Sequence, residues 1–431
     1  MRIDTLLAFV LASVVSIHPA QATSRVIARV NGGSVAINSI CLSLACTVTQ
    51  SIGDPDGQLF VITSTTADTQ TLVSALSSLA AISDCEPDQL AHSAASTYTA
   101  PAALTDTATV NYFGVAVPHG YLSQPAVGLL RISDAQTTFG IQGSGTIAVI
   151  DTGIDVHHPA LVGSLLPGYD FTRNQNGADE TLDLNLSSPP SLGSPTAVGQ
   201  AAIANLDQST AAVVDGNGPY GYFGHGTMVA GVIHLAAPGA KILPFKVFGS
   251  DGTGYTSDIL RAIYKSVQGN ANIINMSFNL SSNSTEIRNA INYANAHNLI
   301  CVAATGNSGE NTVVYPAGLT NLVMGIASTD NSARLSSFSN YGSQMVWVGA
   351  PGEGIVTTYP YGTYAAAWGT SFSAPFAAGA AALLLQVSSQ CNQSSAAGAM
   401  AHAQSTDPKL GNGALDFYQA VQAWRGMLGL Q

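Results

Sequence analysis

A chain of 431 residues that is 46% hydrophobic and 9% charged can bury a large core; it is too apolar for a disordered chain and too broken by 43 glycines and 19 prolines for a membrane bundle. Acidic residues outnumber basic ones 25 to 13, the formal charge is -12, and Lys and Arg nowhere cluster, which argues against nucleic acid as a partner.

The opening 22 residues place Arg2 ahead of an apolar run, Leu6 to Ile17, and close on the small-residue pattern Ala20-Gln21-Ala22. That is the pattern of a cleaved signal peptide, and the run is well short of the roughly 20 apolar residues of a spanning helix. The expectation is a secreted protein, extracellular or periplasmic, with no membrane anchor after cleavage. Of the five cysteines, Cys41, Cys46 and Cys85 stand in the first hundred residues, and Cys301 and Cys391 far downstream. The odd number leaves at least one thiol unpaired, and the spacing does not fix which pair. Cys301, inside an apolar run, reads as a small buried hydrophobe.

Over residues 23–94, RVIARV and QLFVITS read as strands and TQTLVSALSSL as an amphipathic helix, the parts of a small α+β unit. The stretch SAASTYTAPAALTDTATV, residues 93–110, is rich in Ala, Ser and Thr, and residues 95–118 are expected to be a linker. A folded unit followed by a soft connection suggests a removable propiece, with a permanent N-terminal domain as the alternative. Residues 119–431 then make one large domain.

In that domain GTIAVIDTGID carries a β-branched run, Ile147 to Ile150, that ends at Asp151. Such a run predicts a buried parallel strand, and functional groups of open α/β sheets gather beyond the carboxyl ends of the strands. Residues 174–214 are polar and rich in Gly, Ser and Ala, the expected text of a surface insertion near the rim of a site. GYFGHGTMVAGVI sets His225 between two glycines at the start of a helix of small residues, where a neutral imidazole beside a carboxylate can serve as a general base. LICVAATGNSGEN runs as a buried strand into a turn carrying the amide of Asn307, a side chain able to stabilise an oxyanion. In GTSFSAPFAAG, Thr370-Ser371 stands ahead of a predicted helix, Ala374 to Leu385, with Pro375 in its first turn. Unpaired N–H groups at a helix start suit a nucleophilic hydroxyl, since they can meet the oxyanion that its attack produces. Each of the four is weak alone, and Asp151 alone reads as a turn or capping aspartate. Together they form a set.

VIDTGID, GHGTMVAG, VAATGNSG and GTSFSAPFAAGAAALL resemble, in order, the aspartate, histidine, asparagine and serine motifs of the subtilisin-like serine proteases. The resemblance runs from about Leu130 to about Trp424. It implies a three-layer α/β fold with a mostly parallel central sheet flanked by helices, preceded by a ferredoxin-like α+β prodomain. It implies a secreted serine endopeptidase made as an autoprocessed zymogen: Ser371 attacks the scissile carbonyl, His225 moves the proton, Asp151 orients the imidazole, and Asn307 holds the oxyanion. The implied partners are polypeptide substrates and the chain's own prodomain, on a monomer.

By the same resemblance Gly252, Thr253 and Gly254 form the substrate-binding edge, and the primary pocket lies between Ser277-Phe278-Asn279 and Ala304-Thr305-Gly306, with Val314 at its base. Val314 and Asn279 are larger than the glycines of relatives that take aromatic side chains, so small or medium apolar P1 residues are expected. After His158-Pro159, many relatives place a calcium-binding aspartate where this chain has Ala160, and the calcium loop after the histidine helix is missing. No cofactor is expected, and no metal at that site. Two other classes stay open: a serine-carboxyl-type peptidase with glutamate as base, and a catalytically silent binding protein on the same fold.

Overall fold

The computed structural model describes residues 24–89, 101–184, 203–206, 211–214, 221–280, 282–404 and 407–430, with backbone alone for 203–206 and 211–214. The expected signal peptide, residues 1–22, and the start of the expected linker lie outside the described residues. Two compact units divide the chain: one spans 1–51 and 57–87, and the other takes 52–56 and everything from Asp88 onward.

The first unit runs β1 (Ser24–Val30), α1 (Gly33–Leu44), β2 (Thr47–Ser51), β3 (Leu59–Ser64), α2 (Thr69–Ser77) and β4 (Ile82–Pro87). Its sheet order is β2-β3-β1-β4, all antiparallel, the split βαβ arrangement of ferredoxin-like folds. Alternate residues Val26, Ala28 and Val30 of β1 and Phe60 and Ile62 of β3 pack with Ile37, Leu72 and Leu76 of the two helices. Asp68 caps α2, accepting from the Thr71 N–H at 2.8 Å. Cys41 and Cys46 form a disulfide at the end of α1, while Cys85 is a half-buried thiol and Cys301 and Cys391 are buried ones.

The larger unit opens with Asp88, which accepts from the Ser257 N–H at 3.0 Å and its hydroxyl at 2.9 Å. Residues 101–118 correct the linker expectation. They form a 3₁₀ turn (Ala102–Thr105) and a hairpin of β5 (Thr109–Tyr112) and β6 (Val115–Pro118), with Leu104 and Val117 fully buried. The few apolar side chains of this stretch are enough to pin it, and the Tyr112 hydroxyl donates to the Leu235 carbonyl at 2.7 Å. Short helices α3 (His119–Ser123), α4 (Pro125–Leu129) and α5 (Ile132–Phe139) follow.

The central sheet comprises β7 (Thr146–Asp151), β8 (Tyr169–Asp170), β9 (Gln175–Asn176), β12 (Lys241–Lys246), β13 (Ile273–Met276), β14 (Ile300–Ala304), β15 (Met324–Thr329) and β16 (Val346–Pro351). Its order is β16-β15-β14-β13-β7-β12-β8-β9, parallel except for β9. A second, antiparallel sheet has the order β11-β10-β18-β17, from β10 (Ile203–Leu206), β11 (Ala211–Val214), β17 (Ile355–Tyr359) and β18 (Thr363–Ala367). Helices α6 (His225–Ala236) and α9 (Thr370–Val387) pack on each other over one face, with α10 (Gln393–Met400) and α11 (Phe417–Met427) beside them, and α7 (Thr256–Gln268) and α8 (Thr285–Ala296) pack together over the other. The result is three layers.

β7 lies between β13 and β12, so the order of connection reverses around it and its carboxyl end opens on a crevice. Among the described residues α9 is the one helix long and apolar enough to cross a membrane, and 83% of that stretch is buried. It is the core helix of this unit. It starts at Thr370 rather than Ala374, so Pro375 sits in the second turn and Ser371 in the first.

Candidate active site

β7, TIAVID, is half-buried at Thr146 and buried from Ile147 through Asp151, whose carboxylate meets polar partners at the strand's end. Asp151 Oδ1 accepts from the Thr152 N–H and lies against His225 Nδ1, both at 2.7 Å. The two glycines around His225 have separate reasons. Gly224 caps α6 with φ at +89°, and a Cβ there would stand 2.3 Å from the Tyr359 ring; a Cβ on Gly226 would stand 1.9 Å from the Gly153 carbonyl oxygen. The helix start therefore sits directly on the β7 turn, and only glycine allows it. Burial alone would lower the pKa of His225, but the charge and hydrogen bond of the Asp151 carboxylate, together with the charge of Glu180, outweigh it and hold the histidine above its ordinary value.

Ser371 occupies the first turn of α9, half-buried, with Phe372 placing its ring 5.4 Å from that of His225. Its hydroxyl donates to the Ser277 carbonyl at 3.1 Å, and the Ser277 hydroxyl donates back to the Ser371 carbonyl at 2.8 Å. Thus the helix start is stitched to the end of β13. Asn307 turns its Oδ1 to Thr370, accepting from that residue's N–H at 2.8 Å and its hydroxyl at 2.9 Å. That fixes which end of the amide is the acceptor and leaves the –NH₂ end as the donor.

The expected pocket segments face one another. Leu280 and Tyr315 exchange backbone hydrogen bonds of 2.6 and 2.9 Å, tying the 277–280 segment to the 314–316 segment, and a Cβ on Gly306 would lie 3.5 Å from the Asn279 amide nitrogen. Ala304 and Thr305 are buried, Val314 is half-buried, and Phe278 rests its ring 5.3 Å from that of Phe248. On the other edge, the Tyr222 ring stands where a side chain on Gly252 would go, 2.3 Å from that Cβ position, while Thr253 bonds back to Asp251 and Gly254 is packed against the Val247 carbonyl.

Two features escaped sequence reasoning. Thr370, next to the nucleophile candidate, is fully buried and orients Asn307. Glu180, read as part of a surface insertion, is 0% exposed. Residues 174–177 are exposed, but Ala178 and Glu180 are core, because Glu180 brings a carboxylate to N–H groups at the start of α6 that would otherwise be buried unpaired. At the position where the resemblance puts a calcium aspartate, Ala160 is buried, brings no side-chain oxygen and gives its N–H to His158 Nδ1 at 3.2 Å.

Residues 143–420 match the description of the subtilase family. The chain belongs to that family. It is 34% identical over 265 residues to thermitase of Thermoactinomyces vulgaris, covering 61% of this subtilase and 83% of thermitase. It is 37% identical over 238 residues to the thermophilic serine proteinase of Bacillus sp. (strain AK1), 55% of this subtilase but only 51% of that protein, so it spans about half that relative's length. Its fold is similar to that of fervidolysin from Fervidobacterium pennivorans, a keratinolytic enzyme related to subtilisin, with a TM-score of 0.69 at 20% identity over 93% of this chain and 61% of fervidolysin.

Proposed function

We propose that this subtilase is a secreted endopeptidase that cleaves polypeptides through an acyl-enzyme, with Ser371 as nucleophile, His225 as base and acid, and Asp151 as the carboxylate that holds the imidazole. The observation that carries the reading is the 2.7 Å Asp151–His225 contact at the carboxyl end of β7, beside the helix start that presents Ser371. In the reaction the Ser371 hydroxyl leaves its bond to Ser277, its oxygen attacks the scissile carbonyl carbon, and its proton passes to His225 Nε2. The tetrahedral oxyanion takes hydrogen bonds from the Asn307 amide and the Ser371 N–H. His225 then gives the proton to the departing amine, the C–N bond breaks, and water repeats the sequence on the ester. This chemistry needs no cofactor.

Residues 23–94 are proposed as an inhibitory prodomain that the enzyme removes from itself, cutting between about Ala91 and Val110 and acting afterwards as a monomer. The P1 side chain is proposed to be small or medium and apolar, because Val314 and Asn279 shorten the pocket and none of its segments carries a carboxylate for Lys or Arg. Ser371→Ala tests the whole reading. It is expected to turn over no casein and to accumulate as the unprocessed chain; a variant that cleaves casein at the parent's rate would remove Ser371 from the mechanism.

A further inference from the structure

We propose that Glu180 is a positioning residue for His225, a buried carboxylate that locks the imidazole-bearing helix start to the Asp151 turn and lends its charge to the protonated histidine formed during catalysis. The inference rests on the reading of His225 as the base.

Four donors converge on it. Oε2 accepts from the Gly224 N–H and from the Thr152 hydroxyl, both at 2.9 Å, and Oε1 accepts from the Thr227 N–H at 3.1 Å and from the Thr227 hydroxyl, the closest of the four. The two backbone N–H groups can only donate, and they take one carboxylate oxygen each. Thr152 Oγ1 accepts from the Gly226 N–H at 2.9 Å and Thr227 Oγ1 from the Asp155 N–H at 2.7 Å, which leaves each hydroxyl its proton to give to Glu180. The site is therefore built for a group that only accepts, which a carboxylate is and an amide is not. Every donor belongs to a residue near Asp151 or His225: Thr152 follows the aspartate, Gly224 precedes the histidine, and Thr227 lies two residues after it.

Charge points the same way. Lys246, itself 0% exposed, sits on the other side of Thr152, donating to the Thr152 and Phe248 carbonyls, both at 2.7 Å, and to Asp183 at 2.6 Å, while Asp183 also pairs with Arg173. Tyr359 and Tyr361, with Asp155 and Asp179, complete the titratable groups around Glu180 beside Asp151 and His225. Burial pushes the Glu180 carboxyl up to about 7, with the Thr227 and Thr152 hydroxyls and Lys246 pulling it down and Asp151 adding to the rise. Its negative charge in turn helps hold His225 above the ordinary histidine value. Glu180 carries that charge fully only above about pH 7, and there removing it lowers the pKa of His225 and carries the acid limb of the rate profile to lower pH.

The test compares Glu180→Gln and Glu180→Asp with the parent, each normalised to active sites titrated with a fluorophosphonate. Glu180→Gln should lose about tenfold in kcat, with the acid limb of kcat/KM displaced downward by about half a pH unit or more. Glu180→Asp keeps the charge and loses the reach, so its kcat should fall while the limb stays with the parent's. An unchanged limb and kcat in Glu180→Gln would overturn the proposal, as would an equal limb shift in both variants. If Glu180→Gln yields no folded enzyme, an undiminished kcat in Glu180→Asp overturns it. Failure of the parent to be titrated at all would instead strike the assignment of Ser371.

Discussion

Thr370 fixes the orientation of the Asn307 amide, the side chain proposed to hold the oxyanion. The amide has two ends that differ only in what they bond to, and Thr370 decides the matter by offering two donors to one of them. Its hydroxyl also accepts from the Gly306 N–H at 3.1 Å, so the same side chain holds a pocket wall. Thr370→Val keeps the shape and the N–H but drops the hydroxyl. It is expected to lower kcat about tenfold, the worth of one buried hydrogen bond, with KM nearly unchanged, while Thr370→Ser stays near the parent. Steady-state kinetics on a soluble peptide substrate measures the split, and an equal loss in the Ser and Val variants would speak against the hydroxyl. Asp151, His225, Asn307 and Ser371 were legible in the sequence because their motifs are local and each sits at a strand end or helix start. Thr370 and Glu180 were not, because their roles lie in what they touch across 63 and 44 residues of chain, respectively.

At the scale of elements, the buried parallel strands β7 and β14 and the start of α6 follow from unbroken apolar runs and glycine punctuation, which sequence reading handles well. The hairpin of β5 and β6 was hidden by its Ala and Thr content, since burial of Leu104 and Val117 against distant helices leaves no periodic trace. Helix α9 was placed four residues late because Pro375 reads as a first-turn residue, whereas small neighbours let the helix carry it one turn further in. The pocket is likewise an assembly of elements: the Leu280–Tyr315 bridge sets Val314 at one end and Asn279 beside Gly306. Val314→Gly should therefore raise kcat/KM for Phe at P1 by about tenfold relative to Ala, the cost of one steric overlap removed. Peptide substrates differing only at P1 check this, and a parent that prefers Phe to Ala and Leu would refute the pocket assignment.

For the molecule as a whole, acid is the condition it is least built for. His234 on α6 is buried with no partner for either ring nitrogen, its ring 5.9 Å from that of Tyr112. Burial, with a small contribution from the charge of His158, lowers it to about 4. His158, bonded to the Thr363 carbonyl at 3.0 Å, is lowered by burial as well. The unfolded chain thus takes up a proton near pH 6.5 that the folded one refuses until about 4, so folded stability is full above 6.5 and drains as pH falls between those values. Integrated over that window the loss from His234 is about 3 kcal/mol. His234→Phe should remove most of this slope, melting closer to its neutral-pH temperature at pH 4.5 than the parent does. Identical pH dependence of Tm in the two would show that acid lability arises elsewhere.

Whether Ser371 is a nucleophile activated by His225 and Asp151 is measured most directly by mass mapping of the adduct after reaction with a fluorophosphonate. One adduct, on Ser371, is expected, absent in Ser371→Ala and formed orders of magnitude more slowly in His225→Ala. An adduct on another residue, or labelling that persists in Ser371→Ala, would contradict it.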